Sequence, residues 1–138
     1  MIIDAENMIV GRMATYVAKN ALLGEEIHIV NSEKARITGN PKKIIDKFKW
    51  KQDLGAPGVG PHFPKAPERV LKRMIRGMLP HKKSRGREAY ARIKCYKGIP
   101  ENLKSEDIKR FEEFNVEKAD NIGSVSIERI SKELGAKL

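Results

Sequence analysis

Short apolar runs alternate along the chain with longer amphipathic stretches, and this pattern predicts an α/β protein. The runs at 1–4, 26–31 and 93–97, with a further short piece near 35–38, have the length of strands. A strand, a crossover helix and a second strand form a parallel unit. We therefore expect a three-layer α/β/α fold with a small, mainly parallel four-stranded sheet and a C-terminal helical extension.

Capping residues set the expected bounds of the first two helices. One helix is predicted from Gly11 to Leu23, because Gly24 follows its last apolar position. A second should begin at Pro41, since Asn40 can cap it and proline suits a first turn, and it should end near Lys51.

The stretch that begins at Pro67 predicts a helix with two chemically different faces. It should extend close to Leu79, because Pro80 cannot continue a helix. The apolar face comprises Val70, Leu71, Met74, Ile75 and Met78. The opposite side carries Arg69, Lys72, Arg73 and Arg76. A basic turn with a flexible glycine should follow over 81–87, and then a second short helix over 88–93.

Charge changes this picture, because it is unevenly distributed. The chain has a formal net charge of +10, and residues 65–98 hold twelve Lys/Arg against two Glu, so the whole surplus lies in this segment. A local surplus of this kind is typical of a surface that binds a polyanion. Arginine dominates the segment, and its planar guanidinium suits bidentate phosphate contacts and stacking on bases.

Two regions flank this basic segment. Residues 53–67 contain three glycines and four prolines without useful periodicity, which predicts a long loop. We expect this loop to order only against RNA. Beyond Gly98 the chain is acidic, and we expect a helix over 105–114 and a last short helix ending before Gly135. The expected organisation is a single domain, 1–138, with a core at 1–98 and an acidic helical extension at 99–138.

Several classes of function find no support in the sequence. No apolar run approaches the ~20 residues of a membrane span, and the start lacks a signal-peptide pattern, so we do not expect secretion. Cys95 is the only cysteine, so no intrachain disulfide or cysteine-rich zinc site is predicted. Gly11-Arg12 could open a phosphate-binding helix, but no complete nucleotide-binding motif accompanies it. His28 is interpreted as structural, and the pair Glu25-Glu26 as solvated turn residues.

Two groups of short motifs occur in order along the chain. In the basic segment they are Pro67-Glu68-Arg69-Val70-Leu71, Arg76-Gly77-Met78-Leu79-Pro80, Gly86-Arg87 and Lys94-Cys95-Tyr96-Lys97-Gly98. Nearer the N-terminus they are Asp4-Ala5, Gly11-Arg12-Met13-Ala14, Val30-Asn31, Glu33-Lys34 and Thr38-Gly39. Together these motifs resemble the L13 family of large-subunit ribosomal proteins. The loop Gly60-Pro61-His62-Phe63-Pro64 and the acidic tail resemble its archaeal and eukaryotic branch.

The resemblance implies a structural constituent of the large ribosomal subunit, located on cytoplasmic ribosomes, that binds rRNA and supports its folding and assembly. The implied partners are large-subunit rRNA and neighbouring ribosomal proteins, with no membrane, small-molecule substrate, cofactor or reaction. Two alternatives remain open: a free RNA-binding regulator or chaperone, and an α/β enzyme acting on an anionic substrate. The predicted RNA-binding residues are Lys42, Lys43, Lys47, Lys51, Lys65, Arg69, Arg73, Arg76, His81, Lys82, Lys83, Arg85, Arg87 and Arg92.

Overall fold

The computed structural model describes residues 1–104, 107–119 and 122–138. Within these residues the strands are β1 (Ile2–Asp4), β2 (Ile27–Val30), β3 (Arg36–Thr38), β4 (Ile93–Cys95), β5 (Ile108–Lys109) and β6 (Ser124–Ser126). The α-helices are α1 (Val10–Leu22), α2 (Pro41–Gln52), α3 (Pro67–Arg76), α4 (Ser84–Arg92) and α5 (Ile127–Glu133). The main sheet has the order β4-β2-β1-β5, and all its pairings are parallel.

The two faces of the main sheet are buried against different layers. Ile3 and Ile29 belong to the large core that includes apolar residues of α1 and α3. Ile2 and Val30 point to the other face, where they pack with Leu103 of the 3-10 helix Glu101–Leu103. This alternation follows from the two-residue period of a strand. The structure confirms the predicted three-layer α/β/α fold and its C-terminal helix.

The fourth strand of the sheet is not the one that the sequence predicted. The piece near 35–38 forms β3, but β3 pairs antiparallel with β6 in a separate two-stranded sheet. The fourth strand is β5, which pairs with β1 through only two residues, Ile108 and Lys109. A strand this short has no detectable period of its own, so only its partner reveals it.

The helix predicted over 105–114 is wrong where it can be examined. Its first two positions lie outside the described residues, and the rest forms β5 and a 3-10 helix, Glu112–Phe114. Phe111 and Phe114 both pack on Tyr16 of α1. The centroid of the Tyr16 ring lies 4.7 Å from that of Phe111 and 5.9 Å from that of Phe114. Their spacing therefore reflects two contacts with α1, and no continuous helix is needed to bury both rings.

Helices α1 and α2 match their predicted positions closely, whereas α4 begins at Ser84, four residues before the predicted start, and includes part of the predicted basic turn. The side chain of Asn40 accepts hydrogen bonds from the backbone N–H groups of Lys42 (3.0 Å) and Lys43 (3.4 Å), which confirms it as the cap of α2. Helix α3 ends at Arg76, three residues earlier than predicted, because a turn over 77–83 replaces its last turn. As a result Leu79 is buried, whereas Met78, predicted to be in the core, is 45% exposed.

Candidate nucleic-acid interface

Helix α3 is oriented by its apolar residues, and this orientation places its basic side outward. Val70, Leu71 and Ile75 are fully buried and pack against α1, α5 and β4. Residues one turn apart share a helix face, so this anchoring carries the cations to the surface. Arg69 is exposed, and Arg73 and Arg76 are half-buried.

The basic turn after α3 is held by a close backbone approach and is more rigid than the sequence suggested. Gly86 was predicted to be a flexible turn residue, but it is buried in the first turn of α4. A Cβ atom at this position would collide with the carbonyl group of Pro80 and come within 2.8 Å of the His81 nitrogen. The backbone N–H of Lys83 also donates to the Pro80 carbonyl (2.9 Å). Glycine is therefore needed here for close packing.

Cationic side chains project from this turn and from the start of α4. Lys82, Lys83, Arg85 and Arg87 are all exposed, and His81 is half-buried. Because Leu79 and Gly86 hold the backbone on either side, these charges are presented by a defined surface. The turn and the outer side of α3 together form a basic surface, which we define as Lys65, Arg69, Lys72, Arg73, Arg76, His81, Lys82, Lys83, Arg85 and Arg87.

The acidic groups of the protein do not neutralise this basic surface. Among residues 1–104, 107–119 and 122–138, no member of it lies within 4.0 Å of a carboxylate oxygen. The ion pairs instead join cations outside it, namely Lys34–Glu6, Lys49–Glu133, Arg92–Glu88, Arg110–Asp4, Arg110–Glu6, Lys118–Glu112 and Lys132–Glu128. A surface whose cations are merely solvated usually carries both positive and negative charges. The charge distribution therefore favours an external anion as the partner of this surface.

Arg92, which was predicted to bind RNA, makes contacts within the fold. Its guanidinium donates to the carbonyl oxygen of Ala21 at the end of α1 (3.1 Å) and lies 3.9 Å from the Glu88 carboxylate. A cation is favourable at a helix C-terminus, where carbonyl groups lack partners within the helix. Arg92 thus joins α4 to α1, and its RNA contact stays a prediction.

The predicted lysines of α2 separate into two groups. Lys42, Lys43 and Lys47 are exposed on a helix that packs against α5 and β6. Lys42 lines a cavity together with Arg129 and Glu133, so it neighbours α5. Lys51, in the last turn, contributes with Arg73 to the wall of a different cavity. A shared cavity therefore brings Lys51 close to α3.

Aromatic residues that the sequence reasoning missed lie among the cations of α3. Phe63, from the loop 53–66, packs against Phe48 with ring centroids 5.6 Å apart. The Lys51 ammonium lies 5.9 Å from the Phe63 ring centre, and the Lys72 ammonium 4.7 Å from that of Tyr90. The signal in the sequence was the mixture of aromatic and basic residues at 62–65. This signal could be interpreted only after the structure showed that the loop contacts α3.

Two ionisable groups elsewhere in the fold, Asp4 and Cys95, have shifted pKa values. Burial alone would raise the pKa of the Asp4 carboxyl, but hydrogen bonds from Asn31 Nδ2 (2.8 Å), the Glu6 N–H (3.1 Å) and Arg110 Nε (2.8 Å) outweigh it, so this pKa is lowered. Burial raises the pKa of the Cys95 thiol to about 12. Neither group belongs to the two cavities formed by Arg73 and its neighbours.

Three further features of the described chain bear on its chemistry. No group of three His, Cys, Asp or Glu side chains suited to a metal ion occurs among the residues that the structure describes. No helix there is long and apolar enough to cross a membrane. His28, interpreted from the sequence as structural, shares a hydrogen bond with the Tyr96 hydroxyl (3.2 Å) within the fold.

Comparison with known proteins agrees with the motifs found in the sequence. The profile of the family described as ribosomal protein L13 matches residues 1–102. The chain is 48% identical to the large ribosomal subunit protein uL13 of Thermoplasma volcanium, over 97% of each chain. It is 42% identical to the uL13 protein of Archaeoglobus fulgidus, over 97% of this chain and 86% of that protein. With the uL13 protein of Methanococcus maripaludis it shares 44% identity, over 99% of this chain and 98% of its relative. The profile and the near full-length relatives show that this chain belongs to the ribosomal protein L13 family.

Proposed function

We propose that this protein is a structural constituent of the large ribosomal subunit that binds large-subunit rRNA and supports its folding and assembly. The observation that carries the proposal is the basic surface of α3, the turn 77–83 and α4, which has no carboxylate partner among the described residues. The curated relatives are named as large-subunit proteins, which supplies the setting. The proposed location is the cytoplasmic ribosome, with rRNA and neighbouring ribosomal proteins as partners.

The proposed mechanism is electrostatic and involves no chemical step. Lysine and arginine side chains that neutralise phosphates release condensed counterions, which drives association. Helical RNA hides its base edges in a deep, narrow groove, so we expect contacts mainly with phosphates, 2′-hydroxyls and the shape of RNA junctions. The buried face of α3 holds the cations in fixed positions, so less side-chain and backbone ordering is required when RNA binds.

A charge-reversal experiment tests the role of the basic turn. The variant Lys82→Glu/Arg85→Glu/Arg87→Glu reverses three exposed charges without altering a described hydrogen bond of these side chains. It should retain its far-ultraviolet circular dichroism but lose binding to large-subunit rRNA and incorporation into subunits. The matched control, Lys19→Glu/Lys104→Glu/Lys109→Glu, makes the same change in net charge at exposed positions elsewhere. If the two variants bind and assemble equally well, the basic turn has no specific role.

Chemical footprinting and sedimentation distinguish the proposal from a free RNA-binding regulator. The wild-type protein should protect discrete large-subunit rRNA segments and remain with the subunit through a high-salt sucrose gradient. With about six to ten phosphates contacted, affinity for naked rRNA should fall roughly 10³–10⁵-fold between 50 and 200 mM salt. A nearly flat salt response would contradict the electrostatic mechanism. Release from the subunit at moderate salt, with tight binding to other RNA, would favour the regulator.

A further inference from the structure

The outer side of α3 contains two adjoining cavities that the proposed function does not by itself explain. The first, of about 350 Å³, has walls that include Phe63, Arg69, Lys72, Arg73 and Tyr90. The second, of about 270 Å³, is formed by Lys51, Leu54, Pro61, Phe63 and Arg73. Phe63 and Arg73 belong to both, so the cavities form one continuous groove. Their sizes are near the lower end of the range for small-molecule sites.

The groove combines cations with aromatic surface and contains no acid. Arg69, Lys72 and Arg73 line the first cavity and Lys51 the second, and neither cavity has an Asp or Glu in its wall. Phe63 and Tyr90 are both half-buried, so each ring is held by packing and still contributes to the wall. Positioned rings beside cations that lack a carboxylate partner are the combination that single-stranded nucleic-acid sites use, because every base has a π-face and every linkage a phosphate.

We infer that this groove binds an unstacked stretch of RNA, with one base against Phe63, another against Tyr90, and the flanking phosphates on Arg69, Arg73 and Lys51. The inference rests on the proposed function, since it assigns a particular kind of RNA to part of the same surface. Arg69 and Arg73 lie one helical turn apart, with about 6 Å between their Cβ atoms. This separation is similar to that of successive phosphates in a single strand. An acidic peptide would satisfy the cations but would leave the aromatic wall unused.

The first test compares single-stranded with duplex RNA. The probes are a labelled strand of about eight uridines and a blunt RNA duplex of about 16 base pairs. Tyr90→Leu and Phe63→Leu should each weaken binding of the single strand about 5- to 150-fold, the usual effect of losing one stacked base. Binding of the duplex should be unchanged. The salt slope should also be unchanged for both probes, because neither substitution removes a charge.

Control variants separate stacking from changes in the fold. Tyr90→Phe retains the ring and should bind the single strand as the wild type does. Trp50→Leu removes an exposed aromatic residue, 61% accessible, that lines neither cavity, and it should have no effect. Thermal melting of each variant identifies any loss of folded protein. Phe63→Leu serves as a second variant if Tyr90→Leu is unstable.

The outcomes for this inference and for the proposed function are distinguishable. If the wild type binds neither rRNA nor the probes, the proposed function fails. If it binds rRNA with a steep salt dependence while Tyr90→Leu and Phe63→Leu bind the single strand normally, only the groove assignment is overturned. Equal losses on single strand and duplex would also overturn it. If Tyr90→Leu and Phe63→Leu bind RNA normally but are not incorporated into subunits, the groove assignment is also overturned, and a neighbouring protein becomes the expected occupant of the groove.

Discussion

Truncating a side chain on the buried face of α3 should affect a different property from truncating one on its basic face. Leu71 is fully buried in the main core, so Leu71→Ala removes apolar contacts and leaves a cavity that the neighbouring elements fill only partly. Such substitutions cost about 2–5 kcal/mol. For a chain of 138 residues, each kcal/mol lowers the melting temperature by roughly 3–4 °C. Leu71→Ala should therefore melt about 6–20 °C earlier than the wild type.

Arg73→Ala on the other face should change binding and leave stability nearly unchanged. Arg73 is half-buried, and no carboxylate among the described residues lies within 4.0 Å of it. Removing a side chain with no buried partner usually alters stability by less than about 0.5 kcal/mol. If Arg73 contacts a phosphate, its loss should reduce the slope of log affinity against log salt by about one.

The assay is a melting curve and a salt titration for each variant, with a labelled large-subunit rRNA fragment as ligand. Folded Leu71→Ala, measured well below its melting temperature, should keep the wild-type salt slope. The reasoning would be refuted if Arg73→Ala melted much earlier yet bound normally. In that case Arg73 would serve the packing around Phe63, and the RNA surface would have to be sought in the loop 53–66 and the basic turn.

Three further predictions concern positions outside the apolar face of α3. Gly86→Ala should lower the free energy of unfolding by about 1–3 kcal/mol, because the added methyl group overpacks against Pro80. The control Gly11→Ala has open space around the added methyl group, so in urea unfolding it should be as stable as the wild type or more stable. Because the folded-state pKa of Asp4 is lowered, its contribution to stability is present above its ordinary value of 3.8 and is lost as pH falls through the folded pKa. Asp4→Asn should therefore flatten that part of the plot of unfolding free energy against pH. With its pKa raised to about 12, half-buried Cys95 should react slowly with a thiol reagent at pH 8 until the protein unfolds, and rapid reaction of the native protein would contradict the raised pKa.

Local chemistry determined much of what could be predicted from the chain alone. The cap of Asn40 and the apolar face around Leu71 depend on neighbours within a few residues, so their consequences can be read from spacing. The accumulation of charge in 65–98 is likewise a property of order along the chain. The motifs of the same segment identified the family, which the comparisons confirmed. The individual RNA contacts stay predictions.

Long-range packing decided the features that could not be predicted from the chain alone. Strand β5 is defined only by its pairing with β1, more than 100 positions earlier, and Arg92 acquires its structural contact only because α4 meets the end of α1. The loop residue Phe63 becomes part of a cationic groove because Phe48 anchors it beside α3. In each case the deciding partner is distant in sequence. Periodicity and capping describe a segment's own faces and ends, whereas the partner against which each face is buried is selected by the packing of the whole chain.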